Sequence, residues 1–493
     1  MKKFTLCFLW FFGFVITVRS QPKSLDSSFN GNGLYFFPTN NWSQSIGDLA
    51  IQADGKIVVG AFYGSKSAVA RLQANGTPDK SFGNNGGVIV DTINGSLKLL
   101  SQPDGKIIII GSHFKVVGNE TYYLTRLNAD GSVDEGFGTG GVIIEPTSQI
   151  RAATLQQDGK IVLLKRPYNE EYKNDITRLN QDGSLDKSFG VNGHVIDDYD
   201  STFGELGFIT LAINSQGNII ASGYVAGVKH QSTLIANYES NGTRNANFGT
   251  NGLVRIEFQS PDDAFGQYLK ILPDDDILVS GDSYKNLLIA KCKPTGALDL
   301  SYGDGGKIVY PFSPNRYSSI NDMAVLANGT STFAVSSGGF ISFSPDGKEE
   351  AIFNFPVGYQ LIAACTYQPD GKLVVTGGYR KVNYVDYTPV VARFENIETA
   401  AVNSNNKSEV SLKNNLSITV FPNPASATLN ISGLAGGMKT AITILDNNGK
   451  IVRSFKGETN QLKSINIANL NSGIYYLQVQ QNDQIKTLKF LKK

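Results

Sequence analysis

Two short phrases alternate along most of this chain, so the fold must place one supersecondary unit beside further copies of itself. The first phrase begins Asp26-Ser-Ser-Phe29-Asn-Gly31 and returns around Phe82, Phe137, Phe189, Phe248 and Tyr302, with successive starts 53, 55, 52, 59 and 54 residues apart. Ala351-Ile-Phe353-Asn reads as a worn seventh copy. The second phrase, Gln52-Ala-Asp54-Gly55-Lys56-Ile, is interleaved with the first and recurs near Gln102, Gln157, Ser215, Pro273, Ala327 and Gln368, which makes seven units.

Each unit reads as strands. Asp-Gly between two apolar runs signals a tight hairpin, and a two-residue type I′ turn would need positive φ at both central positions. In the second unit Leu97 to Ser101 enters the turn, Lys106 to Ile110 leaves it and Tyr123 to Asn128 forms a third strand, while Val142 to Glu145 is read as opening the next unit. Four short antiparallel strands per period with no helix between units predict a seven-bladed β-propeller. The recurrent aromatic residues Phe29, Phe82, Phe137, Phe189, Phe248 and Tyr302 are expected to pack between blades, with the neighbouring glycine allowing positive φ at a crossover.

Composition agrees. Gly supplies 52 of 493 residues, against a usual ~7%, and the polar positions are dominated by turn formers, which excludes a helical bundle. Residues 1–20 carry Lys2, Lys3 and Arg19 around an apolar stretch and end in Val18-Arg19-Ser20 before Gln21, the order of a secretory signal peptide cleaved between Ser20 and Gln21. Later apolar runs are too short to span a bilayer, so the mature chain is expected to carry no membrane span. The net charge of +1 divides into +3 for residues 1–20, −8 for 21–417 and +6 for 418–493. Neither of the last two segments is basic enough to suggest nucleic acid. The remaining Cys292 and Cys365 fall in different units and read as separate buried thiols, and the three histidines His113, His194 and His230 lack ligand spacing.

The alternation of Asp-x-Ser-Phe-Gly-x-x-Gly with Gln-x-Asp-Gly-Lys-Ile over residues 25–396 resembles the delta-60 repeat of secreted bacterial proteins. The resemblance implies a propeller-like array and carries no catalytic residues. It departs in the fifth unit, where Asp275 replaces the turn glycine, and in the irregular last two units.

Beyond the repeat, residues 397–417 read as a polar flexible linker. Residues 418–493 hold seven short strand candidates separated by turn formers, which predicts a small immunoglobulin-like β-sandwich. The motifs Phe421-Pro422-Asn423-Pro424, Asp446-Asn-Asn-Gly449, Leu470-Asn-Ser-Gly473-Ile-Tyr475 and the terminal run through Lys489 and Lys492 resemble the type A C-terminal sorting domain of the type IX secretion system of Bacteroidetes. That resemblance implies a partner, the outer-membrane translocon, and delivery to the cell surface or the medium after entry through the signal peptide.

No nucleophile elbow, zinc-protease helix or phosphate loop is present, and no cofactor is expected. Asp197, Asp198 and Asp200 offer hard oxygen atoms of the kind calcium takes, although a solvated loop is the simpler reading. The function expected is a non-catalytic surface propeller that binds a glycan or protein through divergent loops at 166–175, 197–205, 227–231 and 381–388. The alternative is a propeller-fold polysaccharide lyase or glycosidase working with paired acids, for which Glu205, Glu257 and Asp262-Asp263 are candidates.

Overall fold

The computed structural model describes residues 25–395 and 418–493, apart from 38–41, 64–65, 96, 114–119, 171–172, 226–230, 259–264, 284, 313–318, 337, 355–358, 380–387, 422, 424, 433, 435–438, 447–450, 459–461 and 482–483. The chain divides into two compact units, residues 1–403 and 404–493.

The first unit is a seven-bladed β-propeller. Blade 1 contains Trp42–Ile51, Ile57–Tyr63, Lys66–Leu72 and Gly87–Val90 in sequence order, and blade 2 repeats the pattern with Leu97–Ser101, Ile107–His113, Thr121–Leu127 and Val142–Glu145. Blades 3 to 6 span residues 148–196, 199–256, 268–311 and 320–354, with Tyr199–Asp200 adding a fifth strand to blade 4. Blade 7 takes three strands from the end of the repeat, Tyr359–Tyr367, Leu373–Tyr379 and Thr388–Phe394, and its fourth from the start, Leu34–Phe36. Leu34, Tyr35 and Phe36 pair antiparallel with Ala392, Val391 and Val390, so the two ends of the repeat share one sheet. Among the described residues each of the seven blades thus has at least four strands.

Among the described residues seven apolar clusters separate the blades, each drawing on two neighbours. Between blades 1 and 2, Val58, Val69 and Phe82 pack with Leu99, Ile107 and Ile109. At the closure, Val374 and Val391 of blade 7 join Ile57, Val59 and Ala70 of blade 1 around Phe29. The second and third strands are buried along nearly their whole length, as in Ile107–His113 and Lys66–Leu72. They therefore read as continuous apolar runs, because both faces of each blade meet another blade.

Three sequence readings are corrected. The run Val142–Glu145 pairs with Thr121–Leu127 and closes its own blade instead of opening the next. The Asp-x-Ser-Phe-Gly phrase consequently lies between third and fourth strands, and Gly83, at φ 53°, serves that connection and not a crossover between blades. The residues read as a worn seventh copy are the fourth strand of blade 6, Glu349–Asn354, reached by the short Ser344 to Lys348 turn; the first copy, at Asp26, is the one that serves blade 7.

The Asp-Gly turn also differs from a type I′ hairpin. Gln52 N donates to Lys56 O at 2.9 Å and Gly55 N to Gln52 O at 2.8 Å, while only the glycine, at φ 83°, is left-handed. This is the three-residue loop that ends in a left-handed position. Where Asp275 replaces the glycine it still adopts φ 63°. Its carboxylate accepts hydrogen bonds from Ser215 N and Gln216 Nε2, both at 2.8 Å, in the turn of the preceding blade. Those bonds offset a conformational cost of about 1–2 kcal/mol for a side chain at positive φ.

In the second unit, Thr419–Phe421, Thr428–Ser432 and Ser464–Asn466 form one sheet, and Ile451–Glu458, Lys439–Leu445, Gly473–Gln481 and Gln484–Lys492 form the other. Leu429, Ile431 and Ile465 of the first share a core with Ile442, Ile444, Leu477, Val479 and Phe490 of the second. The unit is thus a two-sheet β-sandwich.

Candidate functional site

The two repeated phrases meet in one polar lock. In blade 2, Asp134 accepts from Arg126 Nε at 2.6 Å and from Lys106 Nζ at 2.8 Å, so the lysine of Asp-Gly-Lys and the aspartate of Asp-x-x-Phe-Gly are partners. The guanidinium carbon of Arg126 lies 4.5 Å from the centre of the Phe137 ring, and its Nη1 reaches Gln181 O in blade 3. The same set recurs as Asp79, Arg71, Lys56 and Phe82, with Arg71 Nη1 donating to Ala129 O at 2.7 Å. It recurs again as Asp186, Arg178, Lys160 and Phe189.

At the closure Asp26 accepts from Lys372 at 2.7 Å and from Arg393 Nε at 2.7 Å, and Arg393 Nη1 donates to Ala74 O across to blade 1 at 2.5 Å. Burial alone would raise the Asp79 carboxyl, but the Ser81 hydroxyl and N–H and the Arg71 charge hold it down at about 2. The series of cations is thereby committed to structural pairing. Its signal was readable in the sequence as a constant spacing of eight between Arg71 and Asp79, Arg126 and Asp134, and Arg178 and Asp186.

The recurrent aromatics sit inside this lock. Phe29, Phe82, Phe137, Phe189 and Phe248 are fully buried and Tyr302 nearly so. Gly76, Gly131, Gly183, Gly242 and Gly296, each in the next blade, press so closely on the Phe29 to Phe248 rings that a Cβ would lie within about 3.1 Å of a ring atom.

Because strands alternate in direction, the Asp-Gly turns and the Asp-x-x-Phe-Gly connections all lie on one face of the ring. The opposite face receives the second-to-third connections and the passages between blades. The strand ends flanking 168–174, 197–203, 226–231 and 380–387 belong to that face. Tyr199 there is 65% exposed, while Phe203 packs against the core between blades 3 and 4, and Tyr168 donates to Glu120 O at 2.6 Å. Tyr172, Tyr384 and Tyr387 lie outside the described residues.

Asp197 and Asp200 converge on Arg244, Asp200 at 2.7 Å, and Tyr238 donates its buried hydroxyl to Asp197. Among the proposed acid pairs, Glu257 accepts from Ser232 at 2.9 Å and pairs with Arg255, whereas Asp262 and Asp263 lie outside the described residues. Cys292 and Cys365 are buried and form no disulfide, and burial pushes the Cys292 thiol up to about 12.

A central cavity of about 630 Å³ is lined by the first strands of all seven blades, including Asp48, Lys98, Arg151, Lys270 and Asp322. Beside this wall Asp282, on Ile277–Ser283, has one buried carboxylate oxygen without a hydrogen-bond partner, and burial pushes its carboxyl up to about 6. Between the ordinary value of 3.8 and about 6 the folded protein therefore holds this proton when the unfolded chain has lost it. The contribution of Asp282 to folding stability therefore falls as pH rises through that window, because for this group the unfolded chain binds less of a proton than the folded one. Urea titrations at the two ends of the window should show Asp282→Asn gaining stability relative to the wild type as pH rises; an unchanged difference would remove Asp282 as a contributor.

In the second unit, Asn423 Oδ1 accepts from Leu491 N at 2.8 Å and Tyr475 stacks on Phe490, with ring centres 5.7 Å apart. Phe421 is exposed, Gly473 opens the strand Gly473–Gln481, Lys492 is buried and Lys489 lies opposite Tyr476. Pro422, Pro424, Gly449, Ser20, Gln21 and the linker lie outside the described residues.

A closed ring of seven repeat-built blades with a separate β-sandwich at its C-terminal end defines a β-propeller protein with an appended tail module. Residues 52–82, 102–137 and 156–189 match the family model described as a domain of unknown function (DUF5122) beta-propeller, and residues 419–493 match the secretion system C-terminal sorting domain. The chain is a β-propeller repeat protein carrying a type IX sorting domain, which directs export to the cell surface or the medium.

No curated protein matches the chain. Among solved structures it is similar to one described as the extracellular domain of a hybrid two component system from B. thetaiotaomicron, at 11% identity and TM-score 0.44 over 96% of this chain and 60% of that one. It is similar also to Chaetomium thermophilum Raptor, at 11% identity and TM-score 0.43 over 76% of this chain and 29% of that one. A third is the virginiamycin B lyase of Staphylococcus aureus, at 11% identity and TM-score 0.44 over 73% of this chain and 98% of that one. The chain thus spans less than two thirds of the length of the first two.

Proposed function

We propose that the mature chain is a non-catalytic propeller of the cell surface or medium that binds a glycan or protein, enters the export route through a signal peptide at residues 1–20 and is handed on by the type IX translocon. The observation that carries the binding reading is the division of labour between the two faces. The recurrent residues are consumed by turns, polar locks and packing on one face. The segments that differ between units end on the other face, and a rigid scaffold presenting variable loops is the usual arrangement of a binding surface. The reading requires no cofactor.

Probing a glycan array and a panel of host and bacterial proteins with residues 21–493 should give saturable binding to one ligand class. That binding should weaken when Tyr199 is changed to alanine and persist when the repeat-face Lys56 is changed to glutamine. Bond cleavage in a polysaccharide, abolished by a single carboxylate substitution, would replace this reading with the enzyme alternative.

A further inference from the structure

The basic residues of the central cavity differ from those of the repeat face. Arg71, Arg126, Arg178, Arg244 and Arg393 each meet an aspartate. Among the described residues, Lys98, Arg151 and Lys270 have no ion-pair partner, yet they come from three different blades and line one cavity. The two acids of the same wall each hold a backbone N–H of the next blade, although the charge of Lys270 also acts on the Asp322 carboxyl. Asp48 accepts from Leu99 N and Asp322 from Cys365 N, both at 2.8 Å, each fastening its blade to the next. Arg151 donates to Phe208 O at 2.9 Å. Burial, together with the like charge of Arg166 on the adjoining strand, holds its guanidinium below the ordinary value, so an added negative group would relieve it.

Thr210, Gln267 and Asn321 supply hydroxyl and amide groups to the same wall. A cavity of about 630 Å³ falls within the ~300–1,000 Å³ of small-molecule sites. Leu49, Leu99, Leu211 and Leu269 of its lining are buried and present little surface of the apolar kind that anchors a peptide. Cations beside hydroxyl and amide groups suit a ligand that is both anionic and rich in hydroxyls.

We propose that the central cavity binds a carboxylate-bearing sugar, such as a uronic acid within an acidic polysaccharide, with Lys98, Arg151 and Lys270 meeting the carboxylate. This rests on the glycan form of the binding reading and moves the ligand's charged group from the loops into the axis of the ring.

The test is calorimetric titration of residues 21–493 with oligogalacturonate, oligoalginate and chondroitin oligosaccharides, each beside its methyl-esterified, uncharged counterpart. The expected result is binding of at least one acid form, about tenfold weaker for its ester and about tenfold weaker again in a Lys98→Gln/Lys270→Gln variant whose thermal melt is unchanged. Equal affinity for acid and ester, unchanged affinity in the variant, or no acidic sugar bound at about 1 mM, the weak end of specific recognition, would each overturn the proposal. A neutral glycan or a protein bound equally by wild type and variant would overturn the cavity assignment while leaving the loop-face reading standing. Silence on the whole array would remove that reading as well.

Discussion

Asp26→Ala is expected to destabilise the propeller by about 3–5 kcal/mol, the usual consequence of removing one member of a buried ion pair. The aspartate is 1% exposed and accepts from Arg393 and Lys372, both at 2.7 Å, with the Ser28 hydroxyl at 2.6 Å. Deleting it strands two cations at the point where the N-terminal strand is joined to blade 7. The damage should be local at first. Among the described residues this strand pairs with its neighbour at Leu34, Tyr35 and Phe36, with one isolated bridge from Leu25 to Phe394, so residues near Leu34 should become cleavable by protease before the rest of the ring. Asp26→Asn, which keeps an acceptor of the same shape, should recover part of the loss. Urea denaturation and timed proteolysis measure both effects. A loss below about 1 kcal/mol with no new cleavage site would show that blade 7 closes without this lock.

Phe82→Ala and Phe137→Ala should each cost about 3–5 kcal/mol, the range for emptying a buried aromatic site. Each ring is fully buried and lies under a guanidinium 4.5 Å from its centre. It also meets a glycine of the following blade, Gly131 for Phe82 and Gly183 for Phe137. Truncation therefore removes apolar contact between blades and a cation–π partner together. The surrounding strands are held in register by paired backbone, so little collapse into the space is available. The loss should be cooperative, because one loosened interface opens a ring whose remaining blades lean on each other. Gly131→Ala should be costly as well, since its Cβ would sit 2.8 Å from Gly83 N, 2.9 Å from Val88 Cγ2 and 3.1 Å from the Phe82 ring, at a φ of 90° that disfavours any side chain. Values below about 1 kcal/mol for both phenylalanine variants would mean that the lock is carried by its charges alone.

The sequence alone determined the number of units, their all-β character and the separate tail, because these follow from local chemistry. The turns need Asp-Gly, the buried strands need apolar runs, and the spacing of Phe82, Phe137 and Phe189 sets the period. The place of each phrase within a blade was not legible. Val142–Glu145 looks like an opening strand because a period has no marked beginning. Only the hydrogen-bonded register with Thr121–Leu127 assigns it to the end of blade 2.

Tertiary structure alone decided the rest. A contact between Asp26 and Arg393 spans 367 residues, and nothing local predicts which copy of the phrase the last blade will use. The cavity likewise exists only because seven first strands meet on one axis, bringing Lys98, Arg151 and Lys270 together from positions that carry no repeated signal. Turns and strands are fixed by neighbours in sequence, whereas closure and convergence are properties of the whole ring.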